Sequence, residues 1–196
     1  MAYMAHGEKL QIHPNKVNNP KADKNPTIAV LTVSDRSSQG VRDDLSGPAV
    51  IKSVRALTGW RCTETALISD DITLISSQLI RWADEDKFNL IITTGGTGLA
   101  ARDVTPEATL DVIEREAPGL MEAVRAASLV ITPYAMLSRA VAGTRNQSLI
   151  INLPGNPKAV HEALTVLAPV LSHALDLITD HSPNKHHIRK PVFDLE

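Results

Sequence analysis

The chain has 196 residues, of which 43% are hydrophobic, 21% charged and only 3% aromatic, and its formal net charge is -2. That length and apolar fraction suit one packed domain with an aliphatic interior and exclude wholesale disorder. The small negative charge lacks the basic excess needed to grip a nucleic-acid backbone, which argues against nucleic acid as a partner.

The single cysteine, Cys62, forms no intrachain disulfide and falls in a segment that reads as a buried strand, so a reducing, cytoplasmic setting is expected. Nowhere do about 18 apolar residues follow one another, so no membrane span is expected.

Residues 1–25 are polar and lack apolar periodicity, and are expected to be a mobile arm. Residues 181–196 form a polar, basic tail, leaving 26–180 as the folded domain. Composition changes at Thr27, where TIAVLTVSD reads as a strand covered on both faces. From Asp44 to Leu57 the apolar spacing is mostly helical, with Gly59 at the C-cap. Cys62 to Ile68 returns to strand character. A second helix then opens at Asp71, with Ile72, Ile75, Leu79 and Trp82 on one face.

Phe88 to Thr94 is a third buried strand, closed by Gly95-Gly96-Thr97-Gly98, and a helix starts at Thr105-Pro106-Glu107. A further helix covers roughly Leu120 to Val130. SRAVAG and SLIINLP read as two strands separated by a turn at Arg145-Asn146-Gln147, the first a candidate antiparallel edge. The last helix runs from Pro157 to about Ile178 and buries Val160, Leu164, Leu167, Leu171, Leu175 and Ile178. Strands alternating with helices imply parallel pairing through right-handed crossovers, hence an α/β domain.

In such a sheet ligands gather beyond the carboxyl ends of the strands. Those ends carry Ser34-Asp35-Arg36, Ser69-Asp70-Asp71, the GGTG turn and Pro154-Gly155-Asn156-Pro157. Glycines let backbone amides approach a phosphate, although the same turn serves equally well simply to reverse the chain. Arg102 and Asp103 lie directly downstream, and a glycine turn, a cation and a carboxylate so close together fit a phosphate and Mg²⁺ site.

Pro154 to Pro157 precedes a helix N-terminus that favours an anion, with Asn156 as a plain cap the slightly stronger reading. Asp71 reads as a cap, and Asp70 stays open between cap and site. Asp35 can merely close a turn, and Arg36 can be a solvated side chain. His161 and His173 are too far apart on one helix to share a metal, and His181, His186 and His187 fall in the tail. No G-x-S-x-G, H-E-x-x-H or Walker-type lysine loop occurs, which sets aside hydrolase triads and zinc peptidases.

TTGGTGLAARDVTPEAT (Thr93 to Thr109) resembles the signature of the molybdopterin adenylyltransferase family of the MogA/MoaB type. LTVSDRSSQG, DDLSGPA, SRAVAGTR and LIINLPGNPKAV follow the same order as in that family, and the resemblance spans about Thr27 to Thr179. It implies a three-layer α/β/α fold with a mostly parallel sheet. It also implies Mg²⁺-dependent transfer of AMP from ATP to molybdopterin with release of pyrophosphate, metal insertion following in a separate enzyme.

By resemblance, Asp103 and Asp70 are the catalytic carboxylates and candidate Mg²⁺ ligands. Gly95, Gly96, Thr97 and Gly98 then lie in the nucleotide and pterin crevice. Ser34, Asp35, Arg36 and Pro154, Gly155, Asn156 and Pro157 line it, with Ser148 and Asn152 nearby. The family forms homotrimers, and homohexamers among MoaB-type members, so a homo-oligomer is implied. The main alternative is a pterin-binding scaffold that has lost adenylyl transfer, against which Asp70 and Asp103 speak. A competence-damage type domain is disfavoured by the DVTPEA continuation.

Overall fold

The six residues of the first strand, β1 (Ile28–Val33), are all buried, and all but Thr32 divide between two separate apolar clusters. Ile28 and Val30 enter one cluster, while Ala29, Leu31 and Val33 enter the other. That division follows from the two-residue period of a strand covered on both faces. A computed structural model describes residues 25–179. The proposed N-terminal arm, apart from its last residue, and the C-terminal tail lie outside the described residues.

The remaining α-helices and strands are α1 (Asp35–Ser38), α2 (Ser46–Thr58), β2 (Glu64–Ile68), α3 (Ile72–Ile80), β3 (Leu90–Thr94), α4 (Thr105–Leu110), β4 (Arg115–Glu116), α5 (Pro118–Leu129), β5 (Ala142–Arg145), β6 (Ser148–Leu153) and α6 (Pro157–Ile178), with a 3-10 turn at Pro133–Leu137. Among the described residues they form one six-stranded sheet in the order β2-β1-β3-β6-β5-β4. The first four strands of that order are parallel, β5 pairs antiparallel with β6, and β4 pairs antiparallel with β5. Helices α2, α5 and α6 supply one apolar cluster, and α3 and α4 supply the other. The result is the expected three-layer α/β/α arrangement.

Helix α6 buries Val160, Leu164, Leu167, Leu171 and Leu175 as the spacing predicts, with Ile178 half-buried at the end. Each fully buried leucine contributes about 1.5–3 kcal/mol. His161 is exposed on the same helix, its Nδ1 lying 3.1 Å from the Ser53 hydroxyl of α2. None of the described helices is long and apolar enough to cross a membrane.

Several expectations need correction. The second strand begins at Glu64 and is largely exposed, because it forms the sheet edge with only β1 beside it. Cys62 precedes it, half-buried, and burial pushes its thiol up to about 11, which leaves it unreactive near neutral pH. Asp44 lies outside α2, which starts at Ser46. Its Oδ1 accepts from the Ser46 and Gly47 amides, so the carboxylate satisfies the helix start from just before it. The face expected to continue from Ile72 to Trp82 is not one regular helix: α3 ends at Ile80 and widens into a π-helical turn over Arg81–Glu85, which carries Trp82 into the core.

The third strand starts at Leu90 rather than Phe88, and α5 at Pro118 rather than Leu120. Strand β5 is antiparallel as anticipated, but it begins at Ala142 and takes in Arg145, and the two-residue β4 lies outside it at the edge. Two residues are too few for any periodic signal.

Candidate functional site

Strand β1 ends at Val33, and the chain turns into the short α1, where the Ser34 hydroxyl accepts from the Ser37 amide. Two loops meet here through reciprocal hydrogen bonds. The Asp35 amide donates to Asp70 Oδ2 at 2.7 Å, and the Asp70 amide donates to Asp35 Oδ1 at 3.0 Å. Arg102 adds a two-point contact to the Asp35 carboxylate, which holds that carboxyl below the usual range. Asp35 is therefore more than a local turn residue: it joins the loops after β1, β2 and β3.

The glycine turn is held from below and from both sides. The Gly95 amide donates to the Leu153 carbonyl, the Thr94 hydroxyl to Pro154, and the Thr105 hydroxyl to Gly95. Thr105 spends its hydroxyl on this contact, and the helix cap falls at Val104, which makes no side-chain cap bond. Gly95 has a φ of 99°, and a β-carbon there would overlap the Val33 carbonyl oxygen, so no other residue fits without a shift. The amides of Gly96, Thr97 and Gly98 have no hydrogen-bond partner among the described residues.

A cleft of about 210 Å³ opens at this edge, with Ser34, Asp70, Gly95, Gly96, Asp103 and Gly155 among its walls. The two carboxylates stand on either side of the turn. A β-carbon at Gly96 would come within 2.9 Å of Asp70 Oδ1, and one at Gly98 within 2.8 Å of Asp103 Oδ2. Asp103 Oδ2 accepts from the Ala100 amide at 2.8 Å, and Asp70 Oδ2 is taken by Asp35. The other oxygen of each has no hydrogen-bond partner among the described residues. Burial pushes the Asp70 carboxyl above its ordinary value, reinforced by the charges of Asp35 and Asp103 and opposed by the Asp35 amide and Arg102.

Other predicted site residues lie further away. Ser148 is the first residue of β6, at the opposite end of the sheet, where its hydroxyl donates to the Phe88 carbonyl. Ser148 therefore lies at the amino end of its strand, whereas the glycine turn follows the carboxyl end of β3, a distinction that motif order does not carry. Asn152 is fully buried, its amide donating to Thr93 and Thr109 and accepting from the Val141 amide. Arg36 is exposed, with no side-chain partner among the described residues. Thr97 is buried and offers its carbonyl to the Arg139 amide.

Asp71 caps α3 by accepting from Leu74. Asn156 caps α6, its Oδ1 accepting from Lys158 and Ala159, so those amides are already occupied. Pro154 and Pro157 shape that turn, while Gly155 alone of the four reaches the cleft.

The segment 42–46, which lines the cleft, and Arg139 escaped the sequence reading, although Asp44 and Arg139 lie in recognised motifs. Asp44 of DDLSGPA lines the cleft and accepts from the Thr32 hydroxyl at 2.7 Å. Arg139 of SRAVAGTR reaches beneath the glycine turn, with Nε donating to the Gly98 carbonyl at 2.7 Å. Their spacing from the turn gave no local signal, and motif order was the available one.

Known proteins with this fold bear on the cleft. The family model described as a probable molybdopterin binding domain matches residues 29–173. A molybdopterin adenylyltransferase of Helicobacter pylori is 45% identical over 152 residues, covering 77% of this chain and 86% of its own. Its Escherichia coli counterpart is 47% identical over 138 residues, covering 70% and 71%. The crystal structure of a molybdopterin biosynthesis enzyme, MoaB, from Thermus thermophilus superposes with a TM-score of 0.75 at 44% identity, covering 79% of this chain and 97% of that one. A match running from β1 into α6 takes in every loop that walls the cleft, and the chain therefore belongs to the probable molybdopterin binding domain family.

Proposed function

We propose that this chain is a nucleotidyltransferase of molybdenum cofactor biosynthesis that moves AMP from ATP to the terminal phosphate of molybdopterin. The observation carrying this reading is the pair Asp70 and Asp103, set about one glycine turn in a single cleft, each with an oxygen still available. The 45–47% identity to molybdopterin adenylyltransferases points to the same chemistry.

In the proposed step a phosphate oxygen of the pterin attacks the α-phosphorus of ATP. A new P–O bond forms as the α–β bridge breaks, and pyrophosphate leaves with the electron pair. Two anions must approach, so catalysis depends on positioning and on offsetting charge. The unengaged amides of Gly96, Thr97 and Gly98 supply donors to phosphate oxygens. No covalent nucleophile is required.

The donor set fits Mg²⁺, a hard cation that takes one or two carboxylates plus phosphate oxygens. Asp70 and Asp103 would hold it, and their mutual repulsion is what a cation relieves. When bound, Mg²⁺ would supply neutralisation of phosphate charge.

The proposal extends to a homo-oligomer, a trimer or hexamer, supported by an exposed apolar ridge of Leu129, Val130, Ile131, Tyr134, Met136 and Leu137. It extends also to a cytoplasmic setting and to hand-over of product to a metal-insertion enzyme. Purified protein given Mg-ATP and molybdopterin is expected to release pyrophosphate only when both substrates are present. Absence of release with both rejects enzymatic transfer, and continued pterin binding would then favour the scaffold reading.

A further inference from the structure

We infer that Arg139 is a positioning residue for the reacting groups, fixing the glycine turn and the Asp103 loop from outside the cleft. This inference rests on the adenylyl-transfer reading. Arg139 does not line the cleft. It lies between α5 and β5, where its guanidinium engages three groups on the other side of the loop. Nε donates to the Gly98 carbonyl at 2.7 Å, Nη2 donates to the Asp103 carbonyl, and Nη1 pairs with Glu107 on α4. Its own amide donates to the Thr97 carbonyl at 2.9 Å.

These contacts have a directional consequence. Three carbonyls of the segment 97–103 are turned toward Arg139. Over the same stretch, the Thr97 and Gly98 amides remain unengaged and the Asp103 carboxylate reaches the cleft. One planar cation thus pins both ends of the loop that carries Asp103. Lysine cannot reproduce this, because a single ammonium lacks the fixed fork that addresses two carbonyls and a carboxylate together. Glu107 matters less for aiming: it balances the cation's charge, and its second oxygen is buried without a hydrogen-bond partner among the described residues.

The test compares Arg139→Lys and Arg139→Met with wild type, on the intact protein, by thermal melting, steady-state kinetics and hydrogen exchange at amides 96–103. Arg139→Lys keeps the charge opposite Glu107 and serves if Arg139→Met fails to fold. For the folded Lys variant we expect kcat to fall about 100-fold with KM for ATP little changed, the signature of misplaced reacting groups. The hydrogen-bonded amides of that segment, those of Ala100 and Asp103, should exchange at least tenfold faster than in wild type, without matching acceleration in β1 or β3. A Lys variant with wild-type kcat and wild-type exchange in 96–103 overturns the inference and leaves Arg139 as charge balance for Glu107. If wild type itself transfers no AMP, the functional reading fails, and loop exchange alone then decides whether Arg139 pins the segment.

Discussion

Arg102 grips Asp35 through two parallel hydrogen bonds, Nε to Oδ2 at 2.9 Å and Nη2 to Oδ1 at 2.8 Å, across 67 positions of sequence. The arginine side chain is 64% exposed, so solvent screening leaves the pair little weight in global stability. Its importance is local, because the same carboxylate receives the Asp70 amide. Arg102→Ala is therefore expected to melt close to wild type while turnover falls roughly 10- to 100-fold. The Asp35 carboxyl is held below its unfolded value, so the small stabilisation is present above that value and is lost as pH falls through the folded one. Melting curves of the variant and wild type should accordingly converge in acid.

Asp70 has the opposite sign. Its folded value is raised, chiefly by burial, so its charge opposes folding above that value and ceases to do so once pH drops below the unfolded value of about 4. In metal-free buffer Asp70→Asn should melt at or above wild type at pH 7, the gap closing toward pH 4. Turnover of this variant and of Asp103→Asn is expected to fall roughly 100- to 1,000-fold. Normal turnover by either folded variant would remove that carboxylate from the chemistry.

Glycines at two positions should respond in opposite directions to alanine. At Gly95 the left-handed backbone and the clash with Val33 add, and a loss of about 2–4 kcal/mol is expected by urea unfolding. Gly119 in α5 has ordinary φ and open space around its missing β-carbon. Alanine there should be neutral or stabilising by up to about 1 kcal/mol.

Asn152 distinguishes a ligand contact from an interior brace. Asn152→Ala strands the Thr93 and Thr109 hydroxyls and the Val141 amide, and leaves a small void. We expect a stability loss of about 2–4 kcal/mol with turnover per folded molecule largely kept. A stable variant with raised KM would instead place Asn152 in contact with substrate.

The apolar patterning was sufficient for β1, β3, β6 and α6, because a fully buried strand and a long one-sided helix each leave their own period in the chain. It misled at Glu64–Ile68, where an edge position exposes residues whose types still suit a covered strand. It was silent on Arg115–Glu116 and on the π-helical turn at Arg81–Glu85, since neither is long enough to establish a period. In the cleft, the glycine turn and the carboxylate just downstream of it were legible because few residue types meet such backbone and charge demands. Arg139 was not, because an arginine that serves carbonyls distant in sequence looks like any solvated arginine until the chain is folded.

The end of β1 acts as a common reference point. The Ser34 amide binds the Ile68 carbonyl at 2.9 Å, and the Val33 carbonyl fills the space a side chain at Gly95 would need. A single peptide unit thereby registers the segments that carry both acids. The spacing of the two acids is thus anchored at one point of the backbone, which neither of their own loops contains.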